Sequence, residues 1–396
     1  MNSTTAPPKG ALGVIFLIVF LDLMGAGILV PVLPYVVHPY RTDALTVGLM
    51  ALAFSAAQFA ASPFLGVWSD RVGRRPVLLV CLMGTALGYF LFGWAGSLEM
   101  LFLARLLAGF AGGSISSAQA YIADVSAPAD RAKNFGLIGA AFGLGFILGP
   151  AMGGALSKIS LQAPAFAAGG LSLVTLVVAS VLLKESLHVG VRQTELMKWR
   201  DVNPFVQIGS ALGKPAYRGL MLATFALSFG MAGLQTNFAV FTHARFGLDA
   251  AHNAILFSFL GVMAALTQGL LLRKLAPRLG EAKLAIYGAV AFGIGFVVIA
   301  ESSAMWMLYV AVAFTALGFG LAGPALSGLV SRRAMAKEQG ALLGTAQSVS
   351  SLTRVIGPVW AGLLFDKIGP AAPYWAGLGW TMLALWWSVQ ATRSSD

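Results

Sequence analysis

Apolar residues along this chain come in long, nearly unbroken runs. Twelve of them approach or exceed the ~20 residues a helix needs to cross a hydrocarbon core. They cover residues 11–37, 45–66, 77–95, 99–123, 134–157, 164–183, 217–240, 252–272, 283–300, 304–330, 339–363 and 372–391. Polar and charged residues fall mostly between the runs. Most of these connections are short, but Lys184–Pro215 is long, polar and charged with both signs. The pattern predicts an all-α membrane protein of twelve transmembrane helices. A six-helix bundle at 1–183 and another at 217–396 would flank a central loop at 184–216.

Composition agrees. Hydrophobic residues make up 58% and charged residues only 10%, against about a quarter charged in a soluble chain. So much apolar surface cannot be hidden in a water-soluble core of 396 residues. The 47 glycines suit helices whose backbones approach closely in lipid. Cys81 is the single cysteine, which rules out an internal disulfide framework.

The net charge of +11 would suggest nucleic acid in a soluble protein. Its placement here says otherwise. With the N-terminus inside, twenty of the 26 Lys and Arg fall on inner segments. Only Arg41, Lys158, Arg245 and Lys367 fall on outer ones. That bias predicts cytoplasmic termini and a basic face toward anionic headgroups, with no nucleic-acid partner. The first run is too long for a signal-peptide core and reads as a retained span.

The densest charge cluster, Gly66-Val-Trp-Ser-Asp-Arg-Val-Gly-Arg-Arg75, joins the second and third runs on the inner side. Anchoring to headgroups would account for Arg71, Arg74 and Arg75. It leaves Asp70, Gly66 and Gly73 unexplained. A carboxylate at a helix junction can cap a neighbouring helix's positive N-terminus or pair with an arginine, which reads as a gate. The halves also repeat. Arg131–Pro150 aligns with Gln339–Pro358 at an offset of 208 residues, and Gly280 stands near the place of Gly73. Repeats of six helices mark secondary transporters.

The cluster resembles motif A of the major facilitator superfamily, G-x-x-x-D-R-x-G-R-R. Gly136, Gly145, Gly149, Pro150, Gly153 and Gly154 match the helix-5 pattern of its exporting members, and Leu21–Pro34 is similar to the helix-1 signature of its twelve-helix drug/proton antiporters. Stretches 69–79, 103–109, 142–150, 241–248 and 338–344 resemble the tetracycline/proton antiporters. The chain departs from them in two places. Gly88 stands where they carry an acid before a tyrosine, and Lys283–Ala300 holds no acid. The resemblance implies that Asp70 faces the start of helix 11 near Gln339–Leu343, that Arg74 pairs with Asp124, and that these contacts latch the cytoplasmic side.

Ionisable residues inside a span are costly and mark function by default. Asp22 is eleven residues into the first span, roughly 16 Å deep at 1.5 Å per residue. It is the candidate proton carrier, or else a pin for helix packing. Arg105 matches the superfamily's helix-4 arginine in Leu101-x3-Arg105-x3-Gly109. It is the candidate that helps a proton leave, or else it snorkels to outer headgroups. Arg354, before Gly357-Pro358, is a candidate contact for an anionic substrate group, or else for helix-end carbonyls. The amides Gln58, Gln119, Gln235 and Asn237, with Phe238, are candidate substrate contacts, and each amide serves equally as interhelical glue. No Walker loop, HExxH, GxSxG or CxxC pattern is present, and the histidines lack metal-ligand spacing. The expectation is a monomeric exporter in the bacterial inner membrane, not an enzyme, with no metal or cofactor. It would move small amphiphilic compounds, drug- or tetracycline-like, against protons. A proton-coupled carrier of one physiological solute, such as a sugar, metabolite or organic anion, is the alternative.

Overall fold

In the computed structural model, residues 11–112, 114–126, 131–187, 203–333 and 339–393 are described. They form helices and their connections, with no strand among them. The chain divides into two compact units. The first comprises Met1–Val32 and Ala53–Met197, the second Leu33–Leu52 and Lys198–Asp396.

The helices of the first part of the chain are α1 (Ala11–Leu29), α2 (Leu33–Val37), α3 (Ala44–Val72), α4 (Arg74–Gly93), α5 (Leu98–Ala111), α6 (Ser114–Val125), α7 (Arg131–Ser157) and α8 (Ala163–Leu182). Those of the second are α9 (Pro204–Gly213), α10 (Pro215–Phe246), α11 (Ala250–Leu266), α12 (Leu272–Ala300), α13 (Met305–Arg333), α14 (Gln339–Lys367) and α15 (Ala372–Arg393). A π-helical turn, Thr267–Leu271, links α11 to α12. Eight segments among the described residues are long and apolar enough to span a membrane, one of them the continuous stretch Ala250–Ala300.

Two predicted runs are broken. Run 11–37 splits between α1 and α2, around Pro31, whose ring removes a backbone donor. Run 99–123 splits at Gly112, the C-cap of α5. Hydropathy counts apolar length and does not register either break. The runs 252–272 and 283–300 are joined in helix, but the backbone breaks inside α12 at Gly280, where φ is 73° and ψ 162°. Gly73 makes the equivalent break between α3 and α4, with φ 121° and ψ 157°. Both conformations favour glycine.

Packing follows a membrane logic. Large apolar side chains point outward, as on α8, where Val181 is 75% exposed. Glycines line the interior seams. On α7, Gly145, Gly149 and Gly153 all face α1. A Cβ on Gly149 would lie 2.8 Å from Gly27 Cα and from Met24 O, and one on Gly153 would meet Ile28 O. The helix-5 pattern is therefore a backbone-to-backbone contact with α1, just beyond Asp22. Pro150, in the same pattern, is buried. Gly154 receives the Ser157 hydroxyl at its carbonyl at 2.8 Å. Gly136 lies on the first turns of α7.

Candidate functional site

The Gly66–Arg75 charge cluster is organised around Arg74, which is 8% exposed. Its Nη2 meets Asp70 Oδ1 at 2.5 Å and its Nε meets Asp124 Oδ2 at 3.1 Å. Its Nη1 donates to Ser69 Oγ at 2.7 Å. All three guanidinium nitrogens are engaged, a fork geometry that lysine cannot copy. Ser69 in turn donates to Gly66 O at 2.8 Å. Gly66 itself has open space around its Cα, so close packing does not explain that glycine. Arg75 donates through Nη2 to Ser180 O at 2.6 Å, and Arg71 is exposed.

Sequence reading missed Glu185 and Ser186. The Glu185 carboxylate accepts the Arg74 N–H at 2.9 Å and the Arg75 N–H at 3.2 Å, capping the start of α4. Ser186 donates to Asp124 Oδ2 at 3.0 Å. The signal available was a carboxylate immediately past an apolar helix and beside Lys184. The second unit carries a counterpart. Glu281, next to Gly280, pairs through Oε1 with Arg332 Nη2 at 2.9 Å. Arg332 lies 208 residues after Asp124, and Glu281 lies 207 after Arg74. The pair recurs in the repeat with its charges exchanged.

Deeper in the first unit, Tyr89 is 3% exposed and lies within electrostatic reach of both Asp22 and Arg105. Its ring Cε2 is 3.7 Å from where a Cβ on Gly25 would sit, one turn from Asp22 on α1. Asp22 is half-buried. The Arg105 guanidinium stacks 4.5 Å over the Phe54 ring, and its Nε is enclosed with no partner among the described residues. Cation–π stacking holds the charge without neutralising it. A carboxyl, a phenol and a cation on three helices thus share one apolar interior. An aromatic residue in an apolar run ordinarily serves as core, so the sequence alone gives no sign of this grouping.

Gly88 packs α4 against α5. A Cβ there would lie 2.8 Å from Ala108 Cβ and 2.9 Å from Ala108 N. The acid expected at this place from the tetracycline antiporters has no room here.

The remaining candidates separate. Gln58 donates to Gly112 O, closing the break between α5 and α6. This amide acts as helix glue. Gln119 is exposed, and Gln235 is half-buried. Asn237 is fully buried, and neither atom of its amide has a partner among the described residues. Phe238 does not present an open face. It is 2% exposed and packs edge-on against Phe257 at 5.8 Å. Arg354 is exposed and donates to Ser351 Oγ at 2.8 Å. No cluster of three metal-ligating side chains occurs among the described residues.

A family model described as the Major Facilitator Superfamily matches residues 15–358 and 269–395. The tetracycline resistance protein, class C, of Escherichia coli is 33% identical over 375 residues, 94% of this chain and 93% of that protein. Multidrug resistance protein 2 of Bacillus subtilis is 30% identical over 353 residues, 88% of this chain and 87% of that protein. Among solved structures, the human organic anion transporter MFSD10 (TETRAN) is similar at 25% identity, with a TM-score of 0.76, over 96% of this chain and 100% of that one.

Proposed function

This chain belongs to the major facilitator superfamily, a family of multi-pass membrane transporters and not enzymes, and from that premise we propose that it exports small amphiphilic compounds, tetracycline-like or multidrug, in exchange for protons by alternating access. The reading takes twelve spans, cytoplasmic termini, a bacterial inner membrane and a monomer that needs only the proton gradient. Likeness to tetracycline and multidrug resistance proteins over most of the chain supports the cargo class.

One arrangement carries the coupling: Tyr89, packed beside Gly25 one turn from Asp22, lies within electrostatic reach of both Asp22 and Arg105. Asp22 takes a proton from outside. Movement of α1 against α5 then changes its distance from the Arg105 cation, and that charge favours the ionised carboxylate and so releases the proton inside. Tyr89 excludes water between the two. The Asp70–Arg74–Asp124 cluster holds the inner ends of α3, α4 and α6 and must rearrange for cargo to enter from the cytoplasm.

Inside-out vesicles with an imposed pH gradient, acid inside, test this with tetracycline and ethidium as probes. The parent is expected to accumulate a probe, and Asp22→Asn to lose gradient-driven uptake while keeping exchange of labelled for unlabelled probe. An Asp22→Asn variant that accumulates probe as fast as the parent refutes the coupling role.

A second reading rests on Arg354, a cation exposed within a span, and on likeness to an organic anion transporter. An anionic solute as cargo would lose affinity on Arg354→Gln. A lipophilic cation would not.

A further inference from the structure

The first residues of α3 carry an arrangement that neither the motifs nor the relatives' names address. Ala44 N–H donates to Asp366 Oδ1 at 2.9 Å, and Leu45 N–H to Asp366 Oδ2 at 2.8 Å. All three residues of this contact belong to the second unit, although α3 continues into the first. Asp366 sits in the last turn of α14, where the helix's own dipole disfavours a carboxylate. Its position answers to α3. It does not answer to the local need for a cap, because Asp43 already supplies one: Oδ2 of Asp43 accepts the Thr46 N–H at 2.8 Å.

Below this contact the two helices touch backbone to backbone. A Cβ on Gly362 would lie 2.8 Å from Ala44 O and from Leu45 Cα. One on Gly48 would lie 2.5 Å from Pro358 O and 3.3 Å from Val359 Cα. Pro358, Gly362 and Asp366 follow at four-residue spacing, so they form one stripe along α14, as Ala44 and Gly48 do along α3. A seam without side chains, closed at its end by a two-pronged charged cap, fits tightly or not at all.

We propose that Asp366 is the latch of this seam. It seats the start of α3 on the end of α14 on the outer side and lets go when that side opens. Asp70 and Asp366 then stand at opposite ends of the spans, one at the inner end of α3 and the other bonded to its outer start. The proposal rests on the alternating-access reading above for its place in the cycle. The contact itself does not depend on that reading.

The experiment measures external labelling of Val359→Cys by a membrane-impermeant thiol reagent in intact cells, with Cys81→Ala as background. Loss of both acceptors in Asp366→Ala is expected to raise the labelling rate about three- to tenfold. Asp366→Glu is expected to label near the parent rate. Asp43 keeps the helix start capped, so α3 still forms. If Asp366→Ala does not reach the membrane, Gly362→Ala carries the test: its added methyl wedges the seam with the carboxylate intact, and the same rise is expected. Equal labelling of the parent and of the variant that inserts overturns the latch. No transported compound enters this assay. A parent chain that fails to carry tetracycline therefore overturns the export reading alone.

Discussion

Arg74→Ala is the sharpest probe of the Asp70–Arg74–Asp124 cluster. The substitution removes a guanidinium whose side chain is 10% exposed and leaves Asp70 and Asp124, at 26% and 24% exposed, facing each other uncompensated. Breaking a fully buried ion pair by deleting one partner costs about 3–5 kcal/mol. The two carboxylates retain some access to water, so the low end applies, about 3 kcal/mol. At about 2–4 °C per kcal/mol for a domain of this size, detergent-solubilised protein should melt on the order of 6–12 °C lower. Arg74→Lys keeps the charge but reaches one acceptor well instead of three. It should recover about half of that loss. Glu185→Gln tests the same cluster from the backbone side. It removes the charge that caps α4 and should cost about 1 kcal/mol. The assay is thermal unfolding of the three variants beside the parent. If Arg74→Ala melts within 1–2 °C of the parent, or Arg74→Lys is no better than Ala, the three-armed geometry is not what holds the cluster.

Other consequences follow from the glycine seams. Gly149→Ala drives a methyl into the Gly27 and Met24 backbone and should destabilise by about 1–3 kcal/mol. Gly143→Ala, on the same helix with nothing within 4 Å of its Cβ, should be neutral or stabilise by up to about 1 kcal/mol, which melting curves of the pair will show. Gly88→Asp, which restores the acid of the tetracycline antiporters, should lower stability by about 1–3 kcal/mol without improving tetracycline transport. Adding Ala108→Gly should return part of the stability. Equal melting of Gly88→Asp and parent would mean that the α4–α5 seam gives way easily.

Element existence was legible because apolar run length is set by the membrane itself. Breaks were not, because Pro31 and Gly112 interrupt hydrogen bonding without interrupting hydropathy. The Asp70–Arg74 cluster was legible through its charge density, and the Arg74–Asp124 pair through the family resemblance. Residues whose role depends on distant partners were silent. Tyr89 reads as core until Gly25 on α1 and Arg105 on α5 are set beside it. Asp366 reads as a boundary charge next to Lys367, and its partner Ala44 lies 322 residues away in the chain.

The exchanged ion pairs differ in shielding and in the number of charges they join. Arg74–Asp124 is three-quarters or more shielded on both sides, and Arg74 also holds Asp70. In Glu281–Arg332 the arginine is 72% exposed. An exposed pair contributes about 0–1 kcal/mol, whereas the shielded one is several times more costly to break. Polarity is free to invert in a pair with no third charge paired to it among the described residues, because attraction depends on the product of the charges. It cannot invert at Arg74, where a reversed sign would set a carboxylate against Asp70. The repeat geometry therefore supplies the same hinge glycine and the same pairing distance twice. Only the first copy adds a third charge: Asp70 lies one turn before Arg74 and pairs with it, and Glu281 has no such acid one turn before it.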